Sequence, residues 1–262
     1  MKLLDLIFPK YCVNCKKFGD YLCPDCFSRL SFDTKNICLA CGNPSFDGLT
    51  HPRCSSRYRI DGSFTGVVFN PISKKLIYQF KYKPYLSGLS SFLTDLLYES
   101  LIQNEEFNKV LRLPLMLVPI PLSPKRFKKR GYNQAEILAK SLSKKFGSPV
   151  VNYLVRTRET RSQVGLTKEK RKENVSGAFA LRKNVRGPAT RFPPASARSR
   201  NTDIRAVWSP STPVTPHILI ENKNIILIDD VLTTGSTFSE AGNVLKRAGA
   251  AKVWAIAFAR EQ

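Results

Sequence analysis

No apolar run in the 262-residue sequence approaches the roughly 20 residues that a membrane-spanning helix needs. No small-residue cleavage site follows the opening MKLLDLIFPK, and Asp5 breaks its short apolar stretch. The start therefore reads as a mature cytoplasmic N-terminus and not as a signal peptide. Acidic residues are scarce: 20 Asp+Glu stand against 42 Lys+Arg, a net charge of +22. That excess suits a polyanionic partner, either nucleic acid or a phosphorylated small molecule, although a solvated basic surface is the plainer reading. No cysteine lies beyond residue 54, and all seven fall within the first 54 residues, an odd number that disulfides alone would leave with a thiol over. Without a secretory signal, metal binding explains them better. No Gly-Lys-Ser/Thr closes a glycine-rich loop and no G-x-G-x-x-G opens a helix, which excludes a P-loop and a dinucleotide fingerprint. What remains has 42% hydrophobic residues, enough for a packed core.

The chain divides by composition. Residues 1–60 are cysteine-rich and turn-rich, and residues 61–262 alternate strand-like and helix-like segments. DGSFTGVVFN reads as a strand, while PISKKLIYQFKYKPY and LSSFLTDLLYESLIQNEEF space their apolar residues as helices do. LMLVPIPL is a buried strand ended by prolines, and NQAEILAKSLSKKFG is an amphipathic helix with Gly147 as its stop. VVNYLVRT, IILIDD and AKVWAIAFAR read as further strands, with the helix TFSEAGNVLKRAGA between the last two. Such alternation implies an α/β fold with a mostly parallel, three-layer sheet. Residues 187–217, rich in Pro, Ser, Thr and Arg without periodicity, read as a disordered surface insertion.

The densest chemical signal is NIILIDDVLTTGSTFSEAG. In a parallel sheet ligands sit beyond the carboxyl ends of the strands, where this run delivers Asp229 and Asp230. A loop of Thr233, Thr234, Gly235, Ser236 and Thr237 follows and opens a helix near Phe238. Helix-start amides, the helix dipole and four hydroxyls make this a phosphate cradle, and Gly235 permits close backbone approach. Two carboxylates there do not hold phosphate. They accept hydrogen bonds from sugar hydroxyls or from water around Mg²⁺, so the two parts together match a ribose carrying a 5-phosphate. A helix N-cap with acidic neighbours is the plain structural alternative.

IILIDDVLTTGST resembles the phosphoribosyl-pyrophosphate (PRPP) motif of type I phosphoribosyltransferases, and the chain outside the insertion resembles the ComF family of competence-associated, phosphoribosyltransferase-like proteins. The resemblance implies that Asp229 and Asp230 engage the ribose hydroxyls, as binding or catalytic groups, and that residues 233–237 bind the 5-phosphate. It also covers VPIPLSPKRFKKRGYNQAEILA, where a basic loop of Lys125, Arg126, Lys128, Lys129 and Arg130 leads through Gly131 into a helix, a place for pyrophosphate or DNA. RTRETRSQVGLTKEKRKENVSGAF resembles the family pattern at Arg156, Thr157, Gln163, Leu166, Arg171 and Asn174, and reads as a loop able to close over a polyphosphate. QFKYKPY adds Lys81 and Lys83 to the same anionic rim. Two functions follow from the resemblance. One is a role in DNA uptake with single-stranded DNA and helicase machinery. The other is a phosphoribosyltransferase in which a base or other nucleophile attacks the anomeric carbon of Mg²⁺-bound PRPP and displaces pyrophosphate.

CVNC (residues 12–15) and CPDC (residues 23–26) place Cys12, Cys15, Cys23 and Cys26 on two knuckles that can surround one structural Zn²⁺. CLAC begins a second unit of Cys38 and Cys41 with Cys54 as third ligand. In the resembling family a double zinc ribbon ends in another C-x-x-C. Here Arg57 stands where the last cysteine would be, and His51 is the substitute. Pairing across the knuckles, Cys12 and Cys15 with Cys38 and Cys41, stays open on spacing alone.

Overall fold

The computed structural model describes residues 10–82, 87–160, 167–183 and 220–261. The expected insertion at 187–217, together with Lys83, Gln163 and Leu166, lies outside the described residues. Among the described residues four strands form one sheet: β1 (Gly62–Val68), β2 (Leu115–Pro119), β5 (Asn224–Leu232) and β6 (Lys252–Arg260). Their order is β1-β6-β5-β2 and every neighbouring pair is parallel.

Side chains on the two central strands alternate between two cores. Ile226 and Ile228 of β5 and Trp254, Ile256 and Phe258 of β6 face one side. There they meet α2 (Pro71–Tyr82), α3 (Ser87–Leu101), α4 (Glu105–Leu111) and α6 (Gln134–Phe146). Ile225 and Leu227, with Val253, Ala255 and Ala257, face the other side and α8 (Ser236–Arg247). Both faces are covered, which is why IILI and WAIAFA read as continuous apolar runs. Helix α6 shows the periodic counterpart: Ala135, Leu138, Ala139 and Leu142 are fully buried and Gly147 closes it with φ 62°.

Two expectations change. VVNYLVRT does not join the parallel sheet as a strand. Val150 makes a single bridge to Leu117, and only β3 (Leu154–Arg156) is extended, pairing antiparallel with β4 (Phe179–Leu181) in a separate ribbon. The basic stretch after β2 is not a loop but the helix α5 (Pro124–Arg130), with Ser123 as its cap, Pro124 at its first position and Gly131 left-handed at φ 77°. A further helix, α7 (Lys168–Val175), precedes β4, and Thr167 caps it.

Among its described residues the cysteine-rich part has little regular structure: α1 (Pro24–Phe27), two single 3₁₀ turns and isolated bridges. Its first half packs on the α2–α3 side, where Cys12, Cys23 and Cys26 join the core with Leu76 and Phe80. Lys75 donates to Asn14 (2.8 Å), whose amide donates to Cys26 Sγ (3.3 Å). Its second half packs on the opposite face of the sheet through Leu39 and Ile60.

Candidate functional site

Strand β5 runs through the acidic pair to Leu232, and α8 starts at Ser236, so both aspartates sit on the strand and not after it. Alternation sends them apart. Asp230 is buried and meets Lys81 Nζ of α2 at 2.6 Å. The ammonium contact is off hydrogen-bond geometry, and Oδ2 has no hydrogen-bond donor among the described residues. Asp229 accepts from the Asp230 amide through Oδ1 (2.9 Å). Burial, and then the neighbouring Asp230 charge, push its carboxyl from 3.8 up to about 7, against the pull of that amide and of Lys81.

Tyr132 holds the lysine in place. Its hydroxyl donates to the Phe80 carbonyl at the end of α2, one residue before Lys81, and its own acidity is lowered by burial and by the Asp230 charge. Lys81 was a rim candidate. The structure makes it the counter-ion of the acidic pair, and Tyr132 a positioning residue that spacing alone did not single out.

The phosphate loop has the backbone of an anion site. Gly235 is left-handed (φ 75°) and gives α8 no side-chain cap. Thr234 and Ser236 share a hydroxyl contact of 2.8 Å, and Thr233, Thr234, Ser236 and Thr237 are all half-buried. Gly235 offers no capping side chain, the Ser236 amide makes only a long bond to Thr234 Oγ1 (3.5 Å), and the helix dipole favours an anion at this end.

On the Asp229 side stand two guanidinium groups. Arg156 on β3 and Arg126 on α5 converge on Thr160, Arg156 on its hydroxyl and Arg126 on its carbonyl (3.2 Å). Burial lowers the Arg156 pKa, the Arg126 charge adds to this, and the Asp229 charge opposes it. Arg156 Nε has no acceptor among the described residues, nor does Nε of the buried Arg260, which pairs in register with Leu232. Buried donors and acceptors without partners are rare in a folded core, and among the described residues Asp230 Oδ2, Arg156 Nε and Arg260 Nε are three of the four, with Ser45 Oγ of the cysteine-rich part as the other. Glu159 links this corner to α5, accepting from Ser123 Oγ (2.9 Å) and the Lys125 amide (3.0 Å). Burial works against its ionisation, but those bonds and the Arg126 charge hold its carboxyl below the usual range.

The remaining basic candidates are spread out. Lys125, Lys128 and Lys129 are exposed on α5. Arg130 donates to Gln134 (2.7 Å) and lies over the Tyr82 ring at 5.2 Å. Arg171 ion-pairs with Glu261 at 2.9 Å, beside the end of β5.

The sulfurs fall into two groups in chain order and not across the knuckles. Cys12, Cys15, Cys23 and Cys26 bring their sulfurs within 4.8 Å of one another, as do Cys38, Cys41 and Cys54 with one ring nitrogen of His51. Tetrahedral Zn²⁺ with bonds near 2.3 Å needs donor separations of about 3.8 Å, so both groups fit with small closure. In the second, His51 Nε2 lies 2.9 Å from the Pro44 carbonyl, which makes Nε2 the donor and leaves Nδ1, 3.5 Å from Cys41 Sγ, as the ligand atom. Arg57 takes no part, its guanidinium lying over Tyr58 at 5.8 Å.

Comparison with known proteins agrees with both halves. A double zinc ribbon domain model matches residues 3–55, and a phosphoribosyl transferase domain model matches residues 129–262. The chain is 28% identical over 243 residues to Competence protein F of Haemophilus influenzae, covering 90% of this chain and 83% of that one. It is 28% identical over 245 residues to the DNA utilization protein YhgH of Escherichia coli K12 (90% and 89% covered). With Competence protein ComFC of Bacillus subtilis it shares 27% over 246 residues (90% and 82% covered). The chain belongs to the ComF family of phosphoribosyl transferase domain proteins. In this ComF protein the metal is structural zinc, since four protein donors close the shell and leave no open position for chemistry.

Proposed function

We propose that this protein binds PRPP, or a related ribose phosphate with Mg²⁺, between Asp229 and Thr237, and that it acts in the cytoplasm on single-stranded DNA during DNA uptake. The observation that carries the first half is the acidic pair, Asp230 buried and Asp229 half-buried, beside a helix start whose cap position is the left-handed Gly235. Asp229 and Asp230 take the ribose hydroxyls or the water shell of the metal, residues 233–237 take the 5-phosphate, and Arg126 and Arg156 face the pyrophosphate. The metal would add a counter-charge for the two phosphates when bound. Lys125, Lys128 and Lys129, exposed on α5, and the half-buried Arg130 and Arg171 are further cations for phosphate or DNA.

A sugar comparison tests the assignment of the acids. Ribose 5-phosphate is expected to bind at least about tenfold more tightly than 2-deoxyribose 5-phosphate, because the deoxy sugar leaves a buried carboxylate oxygen without its donor. Equal affinities would remove the acids from sugar recognition.

The second half is supported by the names of the relatives, by the charge of +22 and by the outer face of α2. There Tyr78 and Tyr82 are exposed with ring centroids 4.8 Å apart, Arg130 covers Tyr82, and Lys74 and Lys75 stand one turn away. A cleft of about 800 Å³ beside them is lined by Asn14, Lys16, Lys74, Lys75 and Tyr78. Paired aromatics flanked by lysines suit stacked bases and a phosphate backbone. Affinity for an oligothymidylate is expected to fall steeply between 50 and 200 mM salt. Replacing Tyr78 by alanine is expected to cost about tenfold or more at fixed salt. Binding that ignores both salt and Tyr78 would rule out this surface.

A further inference from the structure

We propose that the second cysteine knuckle is a strut for the phosphate loop and that Leu39 is its positioning residue. Leu39 lies inside the turn between Cys38 and Cys41, yet it is only 9% exposed and belongs to the same core as Phe238 and Ala241 of α8. It rests on Gly235. A Cβ built on that glycine would lie 2.6 Å from Leu39 Cδ2, closer than real Cβ atoms approach a neighbour. Gly235 thus serves twice: its positive φ makes the turn into α8, and its missing side chain makes room for the leucine.

A second contact repeats the arrangement about two helical turns later. Gly242 lies seven residues along α8, on the same side of the helix. A Cβ there would meet Ile60 Cγ2 at 2.0 Å. Ile60 is tied to the same unit, since its carbonyl accepts from Thr50 Oγ1 at 2.7 Å, one residue before the ligand candidate His51. Two apolar side chains from the second unit therefore seat α8 by its first turn and its middle.

The knuckle turn itself is short. Its own bonds are Gly42 N to the Cys38 carbonyl (2.7 Å) and Cys38 N to the Asn43 carbonyl (2.9 Å). A metal joining Cys38 and Cys41 to His51 and Cys54 cross-links this turn to the chain that leads to Ile60, and so holds both struts at once. The first cluster has no such role, because Cys12, Cys23 and Cys26 pack on the other face of the sheet. The two sites thus differ in what they hold: the first fixes the N-terminal part to α2, and the second sets where the amides of residues 235–237 point.

The ligand in this account is the ribose phosphate of the proposed function, but the coupling can be measured without it. Hydrogen exchange on the full chain, with no ligand added, follows the backbone amides of residues 233–238 in Leu39→Ala, Cys54→Ser and Cys26→Ser. Leu39→Ala and Cys54→Ser are expected to speed that exchange about tenfold or more, the scale of losing a buried leucine's packing. Cys26→Ser is expected to leave it unchanged while it lowers zinc content. Leu39→Met, which keeps the volume, is expected to restore protection. With PRPP and Mg²⁺ added, affinity is expected to fall about tenfold in Leu39→Ala with Asp229 and Asp230 intact. Unchanged exchange in Leu39→Ala, or an equal change in Cys26→Ser, would overturn the strut. If the unmodified protein shows the expected exchange pattern across the variants but does not bind PRPP, the ribose-phosphate reading fails and the strut stands.

Discussion

Replacing Asp229 by asparagine is expected to make the unliganded protein more stable at pH 8, whereas replacing Asp230 is expected to make it less stable. Two adjacent carboxylates on one strand give opposite signs because alternation gives them different neighbours. Asp229 is held with its pKa near 7, by burial and by the charge of Asp230. Its folded-state pKa lies above the ordinary 3.8, so between those values the folded chain keeps a proton that the unfolded chain releases. Stability therefore falls as pH rises through that window and stays reduced above it. Asparagine does not ionise, keeps an oxygen for the Asp230 amide, and escapes the loss. The gain should be on the order of 2 kcal/mol at pH 8, after allowance for the water-exposed edge of Asp229, and should vanish near pH 4.

Asp230, in contrast, has Lys81 at 2.6 Å in a mostly buried contact. Asparagine there leaves the ammonium without its partner, at a cost that exceeds the relief of repulsion on Asp229, for a net loss of about 1 kcal/mol. Adding Lys81→Met to Asp230→Asn should recover that loss, and thermal or urea unfolding of the four proteins reads the coupling directly. An unfavourable carboxylate in the free protein is what the proposed ligand site would require, since binding residues commonly trade stability for function. The same substitution that stabilises the empty protein is expected to abolish ribose-phosphate binding.

Chelation of both metal ions is expected to unfold residues 11–55 and to lower the thermal midpoint by on the order of 10 °C. This stretch has one four-residue helix, two 3₁₀ turns and isolated bridges, too little hydrogen-bonded structure to persist without its cross-links. Metal analysis should find two zinc ions per chain, and one in His51→Ala. The parallel sheet is expected to survive, since β5 and β6 are buried by α6 and α8 as well as by the cysteine-rich part. Far-ultraviolet circular dichroism should therefore change little while the near-ultraviolet signal of Tyr11 and Tyr21 is lost. A chain that keeps its midpoint after full metal removal would show that the knuckles are held by packing alone.

Much of this was readable from residue types, and the reasons are local. Zinc knuckles need two thiolates three residues apart, so CVNC and CPDC mark themselves. The acidic pair and the loop T-T-G-S-T lie within one strand–turn–helix unit, so their meeting follows from chain order. Gly147 and Gly131 stop helices at left-handed positions that glycine favours. The misreadings have equally physical causes. VVNYLVRT is apolar because Val151, Tyr153 and Leu154 are buried under the ribbon, and burial there looks the same as burial in the main sheet. KRFKKR looked like a solvated loop because charge outweighs its start signal, although Ser123-Pro124 is a good helix opening. Lys81 and Asp230 are 149 positions apart, and no local pattern announces such a pair. Leu39 is hidden differently: between two ligand cysteines, an apolar residue reads as filler until its contact with Gly235 is seen.

The most direct test of the ribose-phosphate site is calorimetric titration of the zinc-loaded protein with PRPP and Mg²⁺ at pH 8, beside the Asp229→Asn, Asp230→Asn double variant with its folding and zinc content verified. Saturable binding to the unmodified protein, weakened at least about a hundredfold in the double variant, is the predicted result. Equal affinity in the two proteins would place the ligand elsewhere and contradict the account.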